Sequence, residues 1–558
     1  MRMKAISLLL VLLTVSSGAF AQVDEARQAL DRGDNVRALN ILSNLLATNP
    51  TADAYLYLGI TYDKMKEYSR AEDILKEGSK RYPDDARFHN QLADIYLENN
   101  DRDDAKSQLH DALTIDPSNS YASDLLATID MSAGEVQSAL RSWNKSGRPV
   151  INDILHNYYV RFSSRVVRDA VAFHPSGVLK YSQWRTTEAR LLETENFTNV
   201  GLEIEPTQVP DQYNAVVRTT TKTNTLANMM FDMLKGAPFD IVFFNYWNIA
   251  NSGTNFNADW RWDAQRRRVE GQIKTPVSLF GLLSVETGDW WRQEHWDLSP
   301  VIRPQFLNRA LVLYKANALR IYLKQIPIYK VRFGAGFEYR NRAAHGDIPQ
   351  IYTNNLNTGK FTAEVDLRLV DRQYQNRVRL EGFAARRSII GETEFSGGVL
   401  QVDNRVTLSK DTRMFLDWTV KGGSSRGLLP IEDYFELGLD TYSINPLRGH
   451  TLAKHGHYGN GPMGSDFVLV NTDLEKRLAT IPFFNSLNIP FITVKWQVFL
   501  DGAKTWDRNK VFVNSQLLVD TGGGLRFETP THAFNLIYGR ALREGNNVFF
   551  GYYEHRLW

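Results

Sequence analysis

Residues 329–340 alternate without a break. Tyr329, Val331, Phe333, Ala335, Phe337 and Tyr339 are apolar or aromatic, and Lys330, Arg332, Gly334, Gly336, Glu338 and Arg340 stand between them. Ala363, Val365, Leu367 and Leu369 alternate in the same way with Glu364, Asp366 and Arg368. A period of two sends the two sets to opposite faces of an extended strand. One face must meet an apolar medium and the other water. In a soluble sheet the apolar face needs a second sheet or helices over it, and no helical segment is available in this part of the chain. A transmembrane antiparallel β-barrel, with lipid outside and a polar lumen inside, satisfies both faces and leaves no backbone group unpaired in lipid. Aromatic residues make up 12% of the chain and concentrate after Tyr158, which fits a barrel with interfacial rings. The segment 237–558 accommodates about 16 strands, given the ~9–11 residues a spanning strand needs. Fourteen or eighteen strands fit nearly as well.

The N-terminus reads as an address. Arg2 and Lys4 precede an apolar run from Ile6 to Val15, and Ala19-Phe20-Ala21 forms a small-x-small cleavage site. Residues 1–21 are therefore expected to be a secretory signal peptide, too short to cross a bilayer as a helix of roughly 20 residues. No later segment has the length of a transmembrane helix. The chain has 0 cysteines, which excludes a lipoprotein anchor, disulfides and a thiolate metal site. A net charge of +2 gives no reason to expect a nucleic-acid partner.

Residues 22–147 repeat with a period near 34. Small residues recur at Ala38, Ala71, Ala105 and Ala139, each followed four residues later by a large one, Leu42, Leu75, Leu109 and Trp143. That spacing puts both on one helical face. Pro50, Pro83 and Pro117 close three units, and Leu58, Gly59 and Tyr62 recur as Leu92, Ala93 and Tyr96. The pattern resembles tetratricopeptide repeats, helix pairs that bury their faces only by stacking and leave a concave surface for a peptide or partner protein.

Residues 150–224 change character. Val166 to Phe173 reads as a strand, Pro175-Ser176-Gly177 as a turn, Thr186 to Thr194 as a helix, and two strands follow through Leu202 and Ile204 and from Tyr213 to Thr219. This order resembles a POTRA domain. The resemblance implies β-augmentation of a client or partner on an exposed edge strand. The alternative is a plain spacer.

Three places in the barrel segment resemble the superfamily of POTRA-bearing outer-membrane barrels that includes BamA, TamA and the two-partner-secretion translocators. Tyr246–Gly253 (YWNIANSG) resembles its first hairpin. Phe435–Leu439 (FELGL), leading to Leu447-Arg448-Gly449-His450, resembles a long loop whose Arg-Gly-aromatic tip folds back into the lumen, with His450 where the family has Phe or Tyr. Val498–Trp506 resembles the late strand with a lumenal aspartate, here with Gly502 directly after Asp501. The chain also ends on an aromatic, Trp558, as such barrels do. Alternation turns Asp501 inward with Lys495, Gln497 and Phe499, and turns Glu475 inward with Asn471 and Asp473. A confined guanidinium needs carboxylate partners, so Arg448, with Gly449 and His450 beside it, is expected to pair with Asp501 and Glu475 and clamp the loop inside. The alternative is three unrelated lumenal charges. The first strand, from about Phe239, and the last, ending at Trp558, would meet at a seam.

Other motifs weigh little. Gly423-Ser424-Ser425-Arg426-Gly427 has the G-x-S-x-G spacing but is placed in a Gly-rich loop between strands, not on a strand-to-helix elbow. His450, His455 and His457 are close together without a supporting carboxylate pattern. Arg266-Arg267-Arg268 is read as a solvated charge run at a hairpin turn. The expectation is a non-enzymatic, cofactor-free outer-membrane protein with a periplasmic arm. It would assemble, insert or translocate polypeptide clients, in contact with membrane lipid, and it would recruit clients or a periplasmic partner through the arm. A passive channel for small solutes and an exporter of surface lipoproteins are the alternatives.

Overall fold

In the computed structural model, residues 20–555 are described except 146, 159–163, 210–211, 236–240, 264–265, 280–281, 306–310, 347–354, 371–373, 388–390, 410–412, 441–443, 456, 483–490 and 530–531. The signal-peptide assignment therefore lies almost wholly outside the described residues. The chain divides into two compact units, Met1–Ile154 with Phe173–Tyr181 and Glu203–Ala215, and Leu155–Ala172 with Ser182–Leu202 and Val216–Trp558.

The first unit begins with helices α1 (20–31), α2 (Asn35–Thr48), α3 (Ala52–Lys64), α4 (Tyr68–Arg81), α5 (Arg87–Glu98), α6 (Arg102–Ile115), α7 (Ser120–Ser132) and α8 (Val136–Trp143). Caps mark the starts that the sequence sets: the side chains of Asp34, Thr51, Asp101 and Asn119 accept from backbone N–H groups three residues on. Ala38, Ala71, Ala105 and Ala139 are fully buried, and so are Leu42, Leu75 and Leu109. Each such leucine stabilises the stack by about 1.5–3 kcal/mol through burial. The helices approach closely because the contact residues are small. A Cβ on Gly59 would lie 2.5 Å from the Leu75 side chain, and one on Gly78 would lie 2.4 Å from Phe88.

Next comes a module of β1 (Val150–Tyr158), α9 (Ser164–Ala170), α10 (Tyr181–Glu193), β2 (Phe197–Pro206) and β3 (Gln212–Thr221), its sheet ordered β1-β3-β2. The strand expected over Val166 to Phe173 is helix α9 instead. Val166, Val167 and Ala170 are buried, a one-sided helical spacing that short apolar runs share with strands. Strand β1, which the sequence reading left out, supplies the third strand of the sheet.

After α11 (Leu226–Lys235), itself unforeseen, the second unit is a large antiparallel sheet. Its long strands are β4 (Ile241–Ile249), β5 (Thr254–Trp262), β6 (Arg266–Ser278), β7 (Leu282–Asp297), β8 (Leu311–Ile328), β9 (Val331–Gly346), β10 (Leu356–Val370), β11 (Tyr374–Ala385), β12 (Phe395–Ser409) and β13 (Met414–Gly427). A long loop follows, carrying the two-residue strands β14 (Phe435–Glu436), β15 (Ala453–Lys454), β16 (His457–Tyr458) and β17 (Met463–Gly464). The sheet resumes with β18 (Asp466–Pro482), β19 (Phe491–Trp506), β20 (Leu518–Glu528), β21 (His532–Ala541) and β22 (Asn547–His555). Each long strand pairs antiparallel with the next, β13 pairing across the loop with β18, and β22 and β4 are neighbours in the barrel order. Among the described residues the long strands number fifteen, in keeping with the expected about 16. The seam residues Phe239 and Trp558 lie outside the described residues.

Polarity is inverted relative to a soluble protein. Leu319, Ile321, Leu323, Phe333, Leu367, Leu369, Leu380, Leu400, Val498 and Leu500 are exposed, while Arg340, Arg342, Glu364, Asp366, Asp403, Lys495 and Asp501 are buried. An apolar belt of this extent needs lipid around it. Trp260, Trp262, Tyr374, Tyr538 and Phe549 add exposed rings of the kind that favour a membrane–water interface. No described helix is long and apolar enough to cross a membrane.

Candidate functional site: a loop clamped inside the barrel

The loop between β13 and β18 turns into the lumen and is tied to three walls. The innermost tie is at Arg448. Its Nε lies 2.9 Å and its Nη2 2.6 Å from the carboxylate of Asp501, and its backbone N–H donates to the same group at 3.0 Å. Both Nη atoms also donate to Asp473. The guanidinium carbon lies over the Phe499 ring, 3.9 Å from its centroid, where a cation–π attraction adds to the ion pairs. Asn471 holds the arrangement by donating to Asp501 and to the carbonyl of Pro446, both at 2.8 Å.

Of the two carboxylates assigned to Arg448 from the alternation, the structure brings Asp501 to it and takes Glu475 elsewhere. Glu475 accepts from Lys495 at 2.8 Å and Arg405 at 3.0 Å, with Arg526 at 3.5 Å. The cause is register. Asn471 faces Asp501, Asp473 faces Phe499, and Glu475 faces Gln497. The guanidinium resting on Phe499 therefore meets Asp473, while Glu475 lies one inward residue further along, about 7 Å away. Asp473 was legible as an inward carboxylate, but a choice between neighbours two apart needs the cross-strand register.

Gly449 and His450 complete the tip. Asp520 accepts from the Gly449 N–H and stands 3.0 Å from His450 Nδ1. A Cβ on Gly449 would lie 2.6 Å from both Ala541 N and Asp520 Cγ, and one on Gly539 would lie 1.9 Å from the Arg448 carbonyl oxygen. Both glycines are required by this close approach of backbones. No sequence motif pointed to Asp520 or Gly539, because their roles arise only when β20 and β21 curve beneath the loop.

Two further ties were not foreseen. Asp433 receives Lys360 at 3.0 Å and also Arg340, and Glu432 receives Arg342 at 3.2 Å. Asp440 receives Arg261 at 3.4 Å and the Tyr458 hydroxyl at 2.7 Å. The triple arginine is thus no solvated run: Arg266 bonds Asp263 at 2.9 Å, Arg268 bonds Glu294 at 3.0 Å, and only Arg267 turns outward, over Trp262. The G-x-S-x-G segment lies within strand β13, not in a loop, and Ser424 donates to Asp466 at 2.7 Å. Of the three histidines, His450 is on Asp520 and His457 is beside the ring of His295. Among the described residues no cluster suited to a metal ion occurs.

Other elements reach both ends of the lumen. At the rim carrying the β13–β18 loop, Leu298 and Ile302 of the β7–β8 connection pack with Ile431, Tyr434 and Phe512, and Arg303 N–H donates to the Val511 carbonyl at 2.9 Å. At the opposite rim the end of α10 is seated. Arg190 donates to the Ile326 carbonyl at 2.9 Å, Asn255 donates to the Thr194 carbonyl at 2.8 Å, and Lys274 lies 3.6 Å from Glu193 and 2.9 Å from Glu195. Between the two rims is a cavity of about 710 Å³ lined largely by charged side chains, Arg448 and Asp473 among them.

Tetratricopeptide repeat families match residues 29–95 and 86–119. The anaphase-promoting complex subunit cut9 of Schizosaccharomyces pombe is 33% identical over 106 residues, which covers 18% of this chain and only 16% of that protein. Among solved structures, CdiB from Escherichia coli is 11% identical, with 73% of this chain and 76% of that chain covered and a TM-score of 0.51. CdiB from Acinetobacter baumannii is 12% identical, with coverage of 80% and 81% and a TM-score of 0.49. BamA from Haemophilus ducreyi lacking POTRA domains 1-3 is 10% identical, with coverage of 73% and 84% and a TM-score of 0.45. The chain thus joins N-terminal tetratricopeptide repeats to a barrel whose fold is similar to that of CdiB from Escherichia coli.

Proposed function

We propose that this protein assembles, inserts or translocates polypeptides at the bacterial outer membrane. The helical repeats and the β-α-α-β-β module would lie in the periplasm and recruit clients or a partner protein. The observation that carries this reading is the loop clamp. A lumen crossed by a loop tied to three walls is built to change state and is poorly suited to steady diffusion. No catalytic step is required, since folding of the client supplies the driving force. The second reading, a passive solute channel, draws on the charged 710 Å³ cavity. Deletion of residues 22–145 separates the two. Loss of a subset of outer-membrane proteins or secreted polypeptides, with only brief and infrequent conductance in planar bilayers, is the expected result. An unchanged outer-membrane profile together with a large, steady conductance would favour the channel.

A further inference from the structure

Strands β5 to β8 sort their cations by face. Those turned into the lumen are paired: Arg261 and Arg266 share Asp263, and Arg268 has Glu294. Arg292 and Arg320 share Glu270, and Lys274 and Lys324 share Glu286. Arg267 and Lys315 stand on the outer face of the same strands. Among the described residues neither forms an ion pair, and the Nε of Arg267 is buried without a hydrogen-bond partner. The carboxylates on the same face of β7, Asp289 and Asp297, are each four residues from Gln293, about 13 Å along the strand.

Register brings the two cations into one row. Trp262 faces Arg267, Arg267 faces Gln293, and Gln293 faces Lys315, on four successive strands. Neighbouring strands are about 4.8 Å apart, so the two backbones are about 10 Å apart and both side chains can reach one group above Gln293. Aromatic rings flank the row. The Arg267 guanidinium carbon lies 4.8 Å from the centroid of Trp262, whose ring stacks on Trp291 at 6.3 Å and meets Trp260 edge-on at 5.9 Å. The row lies at the rim of the β13–β18 loop, since the adjacent Arg266 lies over the Tyr458 ring of that loop.

We propose that Trp262, Arg267, Gln293 and Lys315 bind the phosphate monoester of a membrane lipid at this rim. A lipid-facing arginine or lysine costs about 2–4 kcal/mol at the midplane of a bilayer but only about 0–1 kcal/mol near its surface. Both cations, beside a tryptophan belt, therefore sit at headgroup level. The Arg267 fork takes two phosphate oxygens, the Gln293 amide donates to a third, and Lys315 adds a point charge. Two cations match the charge of about −1.5 to −2 on a phosphate monoester at pH 7, whereas a phosphodiester carries only one. The acyl chains of the same lipid continue down the apolar wall below the row. The site belongs to the outer wall and is independent of what passes through the lumen.

The test uses the full chain in detergent, titrated with lipid A, an acylated glucosamine disaccharide bearing phosphate monoesters, with bound lipid counted by native mass spectrometry. Arg267→Gln with Lys315→Gln should weaken binding about tenfold, which corresponds to ~1.4 kcal/mol, and should leave the midpoint of the heat-dependent gel shift unchanged. Arg267→Lys, which keeps the charge and loses the fork, should fall between the parent and the double variant. Phosphatase-treated lipid A should bind the parent as weakly as intact lipid A binds the double variant. That comparison needs no substitution, so it decides even where the double variant fails to fold. Inorganic phosphate in large excess should not displace the lipid. Equal affinity for the parent and a folded double variant would overturn the proposal. So would equal affinity for intact and phosphatase-treated lipid, and displacement by inorganic phosphate would show a site for free anions instead of a lipid.

Discussion

Arg448 meets two carboxylates and one ring, and the three contacts are unequal. Asp501 is fully buried and accepts both the backbone and the side chain of Arg448, as well as Asn471, whereas Asp473 accepts only the outer guanidinium nitrogens. Removing one partner of a buried ion pair leaves the other unpaired, at a cost of about 3–5 kcal/mol. A single charge-assisted bond contributes about 1.5–3 kcal/mol. Asp501→Asn is therefore expected to lower the midpoint of the heat-dependent gel shift of the folded barrel more than Asp473→Asn does, and to expose the loop to proteinase K. Gly449→Ala should release the loop as well, with no change of charge, because its Cβ has no room beside Ala541. Equal midpoints for the two aspartate variants would contradict the assigned geometry. The sequence carried part of this site. Alternation placed Asp501, Asp473 and Glu475 on inward faces, but pairing Arg448 with Glu475 failed because alternation gives a face and not a neighbour.

In the helical repeats the elements follow their sequence closely, since each small residue and the large one four later meet inside a single helix pair. One residue is at odds with its setting. Asp63 sits in the last turn of α3, where the helix dipole disfavours an anion. Burial, followed by the carboxylates of Glu98 and Asp94, pushes its pKa up to about 6. A folded-state pKa above the unfolded value of about 3.9 means that the folded arm holds this proton more tightly than the unfolded chain does. Stability from this group is fully present below about pH 4 and is lost as the pH rises through 6. Asp63→Asn should consequently raise the melting temperature of the helical arm at pH 7.5 and leave it nearly unchanged at pH 4, followed at 222 nm in the intact chain, where the sheet contributes little. A rise of the same size at both pH values would show that the site is not titrating. The α/β module was less legible, because Val166 to Phe173 is too short for periodicity to tell a strand from a helix.

For the whole molecule the loop between β13 and β18 is the unit that matters, because its ties reach β18, β19 and β20, β9 and β10, and β5. Ties on one loop share the cost of ordering it, so they are expected to be non-additive. In a double-mutant cycle of Arg448→Ala and Asp440→Asn, the second substitution should cost less in the background of the first, by about 1 kcal/mol, read from the same gel-shift midpoints. Strict additivity would mean that the two ties hold separate pieces of the loop. By itself the sequence determined the inside-out barrel, the stacked helices and the inward set of lumenal charges, because period two, period 3.6 and the 34-residue repeat act within a strand, a helix or adjacent units. The tertiary structure alone decided which carboxylate Arg448 meets, that Asp520 and Gly539 receive the loop tip, and that the end of α10 is seated at one rim. Those features depend on how many strands intervene and how they are offset, and such quantities accumulate around the barrel and leave no local trace in the chain.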